Sequence, residues 1–271
     1  EDCGCSGVDI LFVVDNSSSM GAHQASIAAA FPQFADAMFD SLGAGTNLHV
    51  GVTTTEFGYE SSGSSSNSSG TCSVNGGGQI QGIYQTPDTN DLAKDGTQGK
   101  LRTVDGKAFY DIDTDAPQAE RDAFTDWFGR TVVAGTNGSN VEMSSGAAAW
   151  AGDPANLPHN AGFLRDAGAV YVIIIIQDEF DQTPADGGDL LNKIAGQKAA
   201  CGGVNCVVGG GWLNDSCNDV EGFDNLPKMI DGFSNSFIRN LDRNTTIDGT
   251  DLALVLAPII AEKCDEIPPV G

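Results

Sequence analysis

Val8-Asp9-Ile10-Leu11-Phe12-Val13-Val14-Asp15-Asn16-Ser17-Ser18-Ser19 is an apolar run that stops at a carboxylate and three hydroxyls. Ile10 to Val14 is β-branched or large and apolar with little alternation, the pattern of a strand buried on both faces of a parallel sheet. In open parallel sheets the ligand crevice lies beyond the carboxyl ends of the strands, so Asp15, Ser17 and Ser19 are expected on a loop at the functional edge. The spacing Asp-x-Ser-x-Ser offers one carboxylate and two neutral hydroxyls that can face one point. Such hard oxygens suit Mg2+, which leaves its remaining positions to water or to an incoming ligand. The same residues can instead cap the following helix by bonding its first amides, and the pentapeptide alone leaves both readings open.

A second junction of this kind follows the run Ala169 to Gln177, where Tyr171 to Ile176 reads as a central strand and Asp178, Glu179 and Asp181 come directly after it. Three acids within four residues repel one another without a cation. Asp178 is the candidate donor, directly or through water, and Glu179 and Asp181 are rim candidates. Between the two junctions, Thr136 in Ala134-Gly135-Thr136-Asn137-Gly138-Ser139 precedes Val141 to Trp150, which look helical. Thr136 is expected just before that helix, as cap or as ligand. Glu142 is expected in its first turn or two, compensating the dipole or orienting a metal-bound water.

Taken in order, these three loops resemble the metal-ion-dependent adhesion site of von Willebrand factor type A domains, the module also inserted in integrin subunits. The resemblance covers most of residues 8 to 264 and leaves 56 to about 115 outside it. It implies a doubly wound α/β fold, with a mainly parallel sheet and helices on both faces. It also implies one divalent cation, Mg2+ first with Ca2+ or Mn2+ as substitutes, held by Asp15, Ser17, Ser19, Thr136 and Asp178. The implied partner is a protein or glycan whose carboxylate completes the shell, bordered by Glu142, Glu179 and Asp181. A narrower pattern, Gly135-Thr136-x-Gly138-x-x-x-Glu142 with Asn160-x-x-Phe163-Leu164-Arg165 and Asp178-Glu179-x-Asp181, is similar to type A domains of bacterial surface lipoproteins, some of which are adhesins.

The 271 residues suffice for one large α/β domain, read here as a single domain with a Ser/Gly-rich insertion at about 56–115, and the 40% apolar content suffices for its core. Thirteen basic against 37 acidic residues give a formal charge of -24, which argues against nucleic acid and anionic membrane as partners. The same acidity also suits a salty environment. Seven cysteines without a pair of Cys-x-x-Cys motifs point to disulfides in an oxidising compartment rather than to zinc. Cys3 or Cys5 with Cys264, Cys201 with Cys206, and Cys72 with Cys217 are the pairings considered, and connectivity stays open. The start at Glu1 and the lack of a transmembrane-length apolar run lead us to expect a trimmed extracellular or cell-surface domain.

Along the rest of the chain, Ile27, Phe31, Phe34 and Met38 form a helical stripe, with Pro32 expected to begin a second helical piece. Asn47 to Thr53 reads as a strand towards the sheet edge, with His49 a structural residue. The run Asp111 to Asp115 starts like a calcium loop but has Ala116 where that loop needs Gly, so it reads as a solvated strand end leading into a helix from about Pro117 to Phe128. Asp189 to Ala199 is expected to be helical, Val204 to Val208 a strand that ends at Gly209-Gly210-Gly211, Phe237 part of a short edge strand, and Thr250 to Cys264 the closing helix.

An enzyme is the rival class and is disfavoured. Aspartate-dependent phosphoryl transfer needs a second acid where Ser17 stands, there is no Gly-x-Ser-x-Gly elbow, and His23, His49 and His159 lack a triad context. A structural part of a cell-surface or motility machine, keeping the fold without using a metal, is the other alternative.

Overall fold

The computed structural model describes residues 5–57, 96–138, 141–214, 224–242 and 244–267. Six strands form one sheet: β1 (Gly7–Val14), β2 (Asn47–Thr54), β3 (Phe109–Asp113), β4 (Ala169–Gln177), β5 (Val207–Leu213) and β6 (Asn235–Asn240). Their order is β3-β2-β1-β4-β5-β6, and every pairing is parallel except β2 with β3. The order reverses direction at β1 and β4, which are both buried along their whole length. This is the arrangement in which a ligand crevice opens beyond the carboxyl ends of the central strands.

Helices cover both faces, as the doubly wound reading requires. Helices α1 (Gly21–Ser41) and α2 (Gln118–Val132) and the closing helix pack on one side, against Ile10, Phe12 and Val14. Helices α3 (Ser144–Ala151), α4 (Gly187–Gln197) and α5 (Asn225–Asp231) pack on the other, against Leu11, Val13, Ile173 and Ile175. Alternate residues of one strand thus feed two cores, and this explains why the strand shows no polar alternation. On the first face, Phe31 stacks on Phe128 with ring centroids 3.5 Å apart, and Phe12 meets Phe128 edge-on at 4.7 Å. On the second, Ala147, Ala148 and Ala149 let α3 lie close to the sheet.

Several expectations shift. Pro32 does not divide the first helix: α1 runs through it for 21 residues. Ile27, Phe31, Phe34 and Met38 are all buried, and their packing outweighs the one hydrogen bond that Pro32 cannot make. Strand β2 is not at the edge, because the antiparallel β3 lies outside it with Asp113 opposite Asn47. Asp111 and Asp113 both accept from Asn47 Nδ2, at 2.7 and 2.9 Å. The three glycines lie inside β5 rather than after it, since a Cβ at Gly209 or Gly211 would fall on the carbonyls of Ile173 or Ile175, and one at Gly210 on that of Phe237. The closing helix comes in three pieces, Gly249–Asp251, a wider π turn at Leu252–Leu256, and α6 (Ala257–Glu266) with Pro258 in its first turn.

Two disulfides staple the fold. Cys5 bonds Cys264 and Cys201 bonds Cys206. The pairing considered for Cys72 and Cys217 lies outside the described residues, as does most of the Ser/Gly-rich segment. Among the described residues no helix is long and apolar enough to cross a membrane.

Candidate functional site at the carboxyl ends of the central strands

The amide of Asp15 continues the sheet by donating to Ile176 O at 2.9 Å, and this sets Asp15 level with the end of β4. The chain then turns, with the Ser17 amide donating to Asp15 Oδ1 at 2.7 Å. From there a line of hydrogen bonds crosses the crevice. Ser17 Oγ and Ser19 Oγ are 3.2 Å apart, and Ser19 Oγ donates to Asp178 Oδ1 at 2.9 Å. Asp15, Ser17, Ser19 and Asp178 are therefore brought together from two loops separated by 159 residues. The capping alternative does not hold: α1 starts after Met20 and no side chain caps it.

Asp15 is fully buried, and its Oδ2 has no hydrogen-bond partner. Burial first, and the nearby Asp178 carboxylate second, push its pKa up to about 8, against the opposing pull of the Ser17 hydrogen bonds. A carboxylate so placed is short of a positive charge. The four side chains supply two carboxylates and two hydroxyls, all hard oxygens, and the orphaned Oδ2 provides a free donor position. This set fits a divalent cation of the Mg2+ or Ca2+ kind. Among the described residues, however, no group of three or more His, Cys, Asp or Glu side chains already converges as a cage.

The other expected residues are distributed differently. Thr136 is not just before a helix, since α3 begins only at Ser144. It stands beside the first turn of α1, where a Cβ on Gly21 would lie 3.3 Å from its Cγ2. Its loop is locked to the crevice by Gln24, which donates to both Asp15 O and Gly135 O at 2.9 Å, and by the Gly138 amide, which donates to Asn16 O at 2.9 Å. Glu142 likewise precedes α3 rather than lying in it. It is buried, the Thr55 hydroxyl donates to its Oε2, and its Oε1 has no partner. Burial, then the Asp15 carboxylate, raise its pKa well above the ordinary value.

Asp181 is not on a rim. It is buried, with the hydroxyls of Ser145 and Thr183 donating to it, and burial raises its pKa. It ties the loop after β4 to the start of α3. Glu179 is partly exposed at the crevice. Sequence reasoning missed Gln24 and Thr55. A polar Gln inside the buried stripe of an amphipathic helix was the available signal for Gln24, whereas nothing local marks Thr55.

The narrower motif has structural work to do. Asn160 accepts from the Leu101 amide and donates to Gly99 O and Ala151 O. Arg165 pairs with the buried Asp9 at the opposite end of β1, Nη2 to Oδ1 2.6 Å. His49 Nδ1 lies 2.8 Å from Phe163 O, as befits a structural histidine.

No protein-family model and no curated protein matches the chain. Among solved structures it is similar to a von Willebrand factor type A protein from Catenulispora acidiphila, with TM-score 0.44 and 16% identity over 95% of this chain and 43% of that one. It is also similar to proximal thread matrix protein 1 of the mussel byssus, with TM-score 0.42 and 12% identity over 97% of this chain and 47% of the other. The chain therefore spans less than half the length of the solved structures it is similar to.

Proposed function

We propose that this domain is an extracellular, cation-dependent adhesion or ligand-binding module and not an enzyme. The observation that carries the reading is the buried Asp15 carboxylate at the switch point of the sheet, with one oxygen unpartnered and the other linked through Ser17 and Ser19 to Asp178. A divalent cation there, Mg2+ by preference and Ca2+ or Mn2+ as substitutes, would be held by these four side chains, with Thr136 the fifth donor the sequence resemblance implies. The cation supplies a Lewis-acidic position open to an outside oxygen. The protein's own part is to hold the donors in a fixed, largely buried frame and leave that position facing the crevice. A carboxylate from a protein or glycan partner, for instance on another cell-surface protein, takes it. Nucleic acid and membrane insertion are disfavoured by the charge of -24 and by the absence of a spanning helix among the described residues. Two disulfides support an oxidising compartment outside the cytosol.

Calorimetric titration of Mg2+, Ca2+ and Mn2+ into chelator-stripped protein tests the reading. Saturable one-site binding is expected in the parent and absent after Asp15→Ala with Asp178→Ala. Equal uptake by both proteins would mean that cations go only to the diffuse acidic surface, and the reading fails.

A further inference from the structure

We propose that Gln24 is the positioning residue of the cation site, holding the Thr136 loop in register with the Asp15 loop and so setting the preference for Mg2+ over Ca2+. This rests on the cation-binding reading above. Gln24 is 1% exposed. Its Nε2 donates to Asp15 O and to Gly135 O, both at 2.9 Å, and its Oε1 accepts from the Gly135 amide at 3.1 Å. Two carbonyls and one amide thus fix which way the carboxamide lies. All three bonds end on the main chain of loops that carry proposed cation donors. The Asp15 end is itself pinned, because the Asp15 amide bonds Ile176 O in the sheet. The Gly135 end comes directly before Thr136, and a φ of +87°, which glycine adopts without steric cost, turns both polar groups of that residue to one side chain.

Side-chain contact supplies the second ground. Thr136 rests against the first turn of α1, where a Cβ on Gly21 would come 3.3 Å from its Cγ2, closer than ordinary van der Waals contact. Gly21 and Gln24 stand at i and i+3, so they share a helix face. That face of α1 gauges Thr136 twice, by bare backbone at its side chain and by a carboxamide at its main chain. The carboxamide is specific to the task. Methionine would fill the same space and leave both carbonyls without this donor, and an ionised glutamate would set an oxygen against them.

Selectivity follows from geometry. Mg2+ demands near-ideal octahedral positions, whereas Ca2+ accepts longer and more variable ones. Loosening the Thr136 loop therefore costs Mg2+ more than Ca2+, an asymmetry that a general loss of stability does not produce.

The test is calorimetric titration of Mg2+ and of Ca2+ into chelator-stripped parent, Asp15→Ala, Thr136→Val, Gln24→Met, Gly21→Ala and the double variant Gln24→Met with Thr136→Val. Thermal melting in chelator reports that each is folded. We expect Asp15→Ala to abolish binding. Gln24→Met should weaken Mg2+ about tenfold or more and Ca2+ less, and Thr136→Val should do the same. The double variant should bind no more weakly than the weaker single one, since both changes remove the same donor. Gly21→Ala crowds Thr136 without touching Gln24, and alanine suits a helix better than glycine. It should melt no lower than the parent and still bind Mg2+ severalfold more weakly, and it decides the matter if Gln24→Met does not fold. Parent-like Mg2+ binding in Gln24→Met or Gly21→Ala, losses that add in the double variant, or equal losses of Mg2+ and Ca2+ overturn the proposal and leave the cation reading standing. Parent-like binding in Asp15→Ala overturns the cation reading itself.

Discussion

Burying Asp15 couples the stability of the domain to pH in a direction opposite to that of an ordinary salt-bridged carboxylate. Its pKa rises from 3.8 to about 8 on folding, so between those values the folded chain binds more protons than the unfolded one. Stability then falls as pH rises through that window, by up to about 1.4 kcal/mol per pH unit for one proton. In chelator, the melting temperature is expected to drop from pH 5 to pH 8, and Asp15→Asn should make that dependence shallower, the remainder coming from the other buried carboxylates with raised pKa, Glu142 and Asp181 among them. Added Mg2+ should restore the parent at pH 8 and leave Asp15→Asn largely unmoved. At the far end of the same strand, Asp9 is a buried carboxylate with a partner, and Arg165→Ala would strand it. A cost of about 3–5 kcal/mol is expected in denaturant unfolding. The residues legible in sequence were those whose chemistry is written next to a strand end, namely Asp15, Ser17, Ser19 and Asp178. Glu142 was legible as an acid but not as a neighbour of Asp15, because the hydrogen bond that places it comes from Thr55, 87 residues away.

Elements were legible where one period dominates and obscured where close backbone packing decides. The all-apolar runs of β1 and β4 could only be central strands. The glycine run reads in sequence as the end of a strand because glycine is disfavoured in strand interiors, yet it lies within β5 because neighbouring carbonyls occupy the space a side chain would need. Gly210→Ala should accordingly be severely destabilising, by more than about 2 kcal/mol, although alanine has no conformational objection to an extended backbone. Pro32 misled in the other direction. It is exposed in the middle of an otherwise regular helix, so Pro32→Ala restores a backbone hydrogen bond without disturbing the core. Chemical denaturation should show a gain of about 1–3 kcal/mol, and a loss would mean that the proline conformation is required by the packing of α1 on the sheet.

At the scale of the molecule, the doubly wound architecture was legible through the family resemblance, whereas the outer strand β3 was legible only as a solvated strand end and not as the neighbour of β2, because only five residues form it and alternate ones are exposed. The two disulfides differ in what they constrain. Cys5–Cys264 closes a loop with a sequence separation of 259 and Cys201–Cys206 one of only 5. Loop-closure entropy then assigns the first about 5.5 kcal/mol and the second about 2 kcal/mol. Replacing Cys5 and Cys264 together by Ser should therefore lower the melting temperature more than the same change at Cys201 and Cys206. Similar losses would point to a compact unfolded chain that the long bridge hardly restricts.

The Cys5–Cys264 bridge sits at the amino end of β1, joined to it by the Cys5 amide bonding Cys264 O at 2.8 Å and the Ser6 amide bonding Gly168 O at 2.8 Å. The eight residues of β1 set it about 26 Å from the crevice. Tension applied at residues 5 and 264 would pass from one to the other through a covalent link. The sheet, its two cores and the acidic crevice would hang to one side of the load line, so the domain could be pulled hard at its base while its opposite face kept the shape that a partner has to fit.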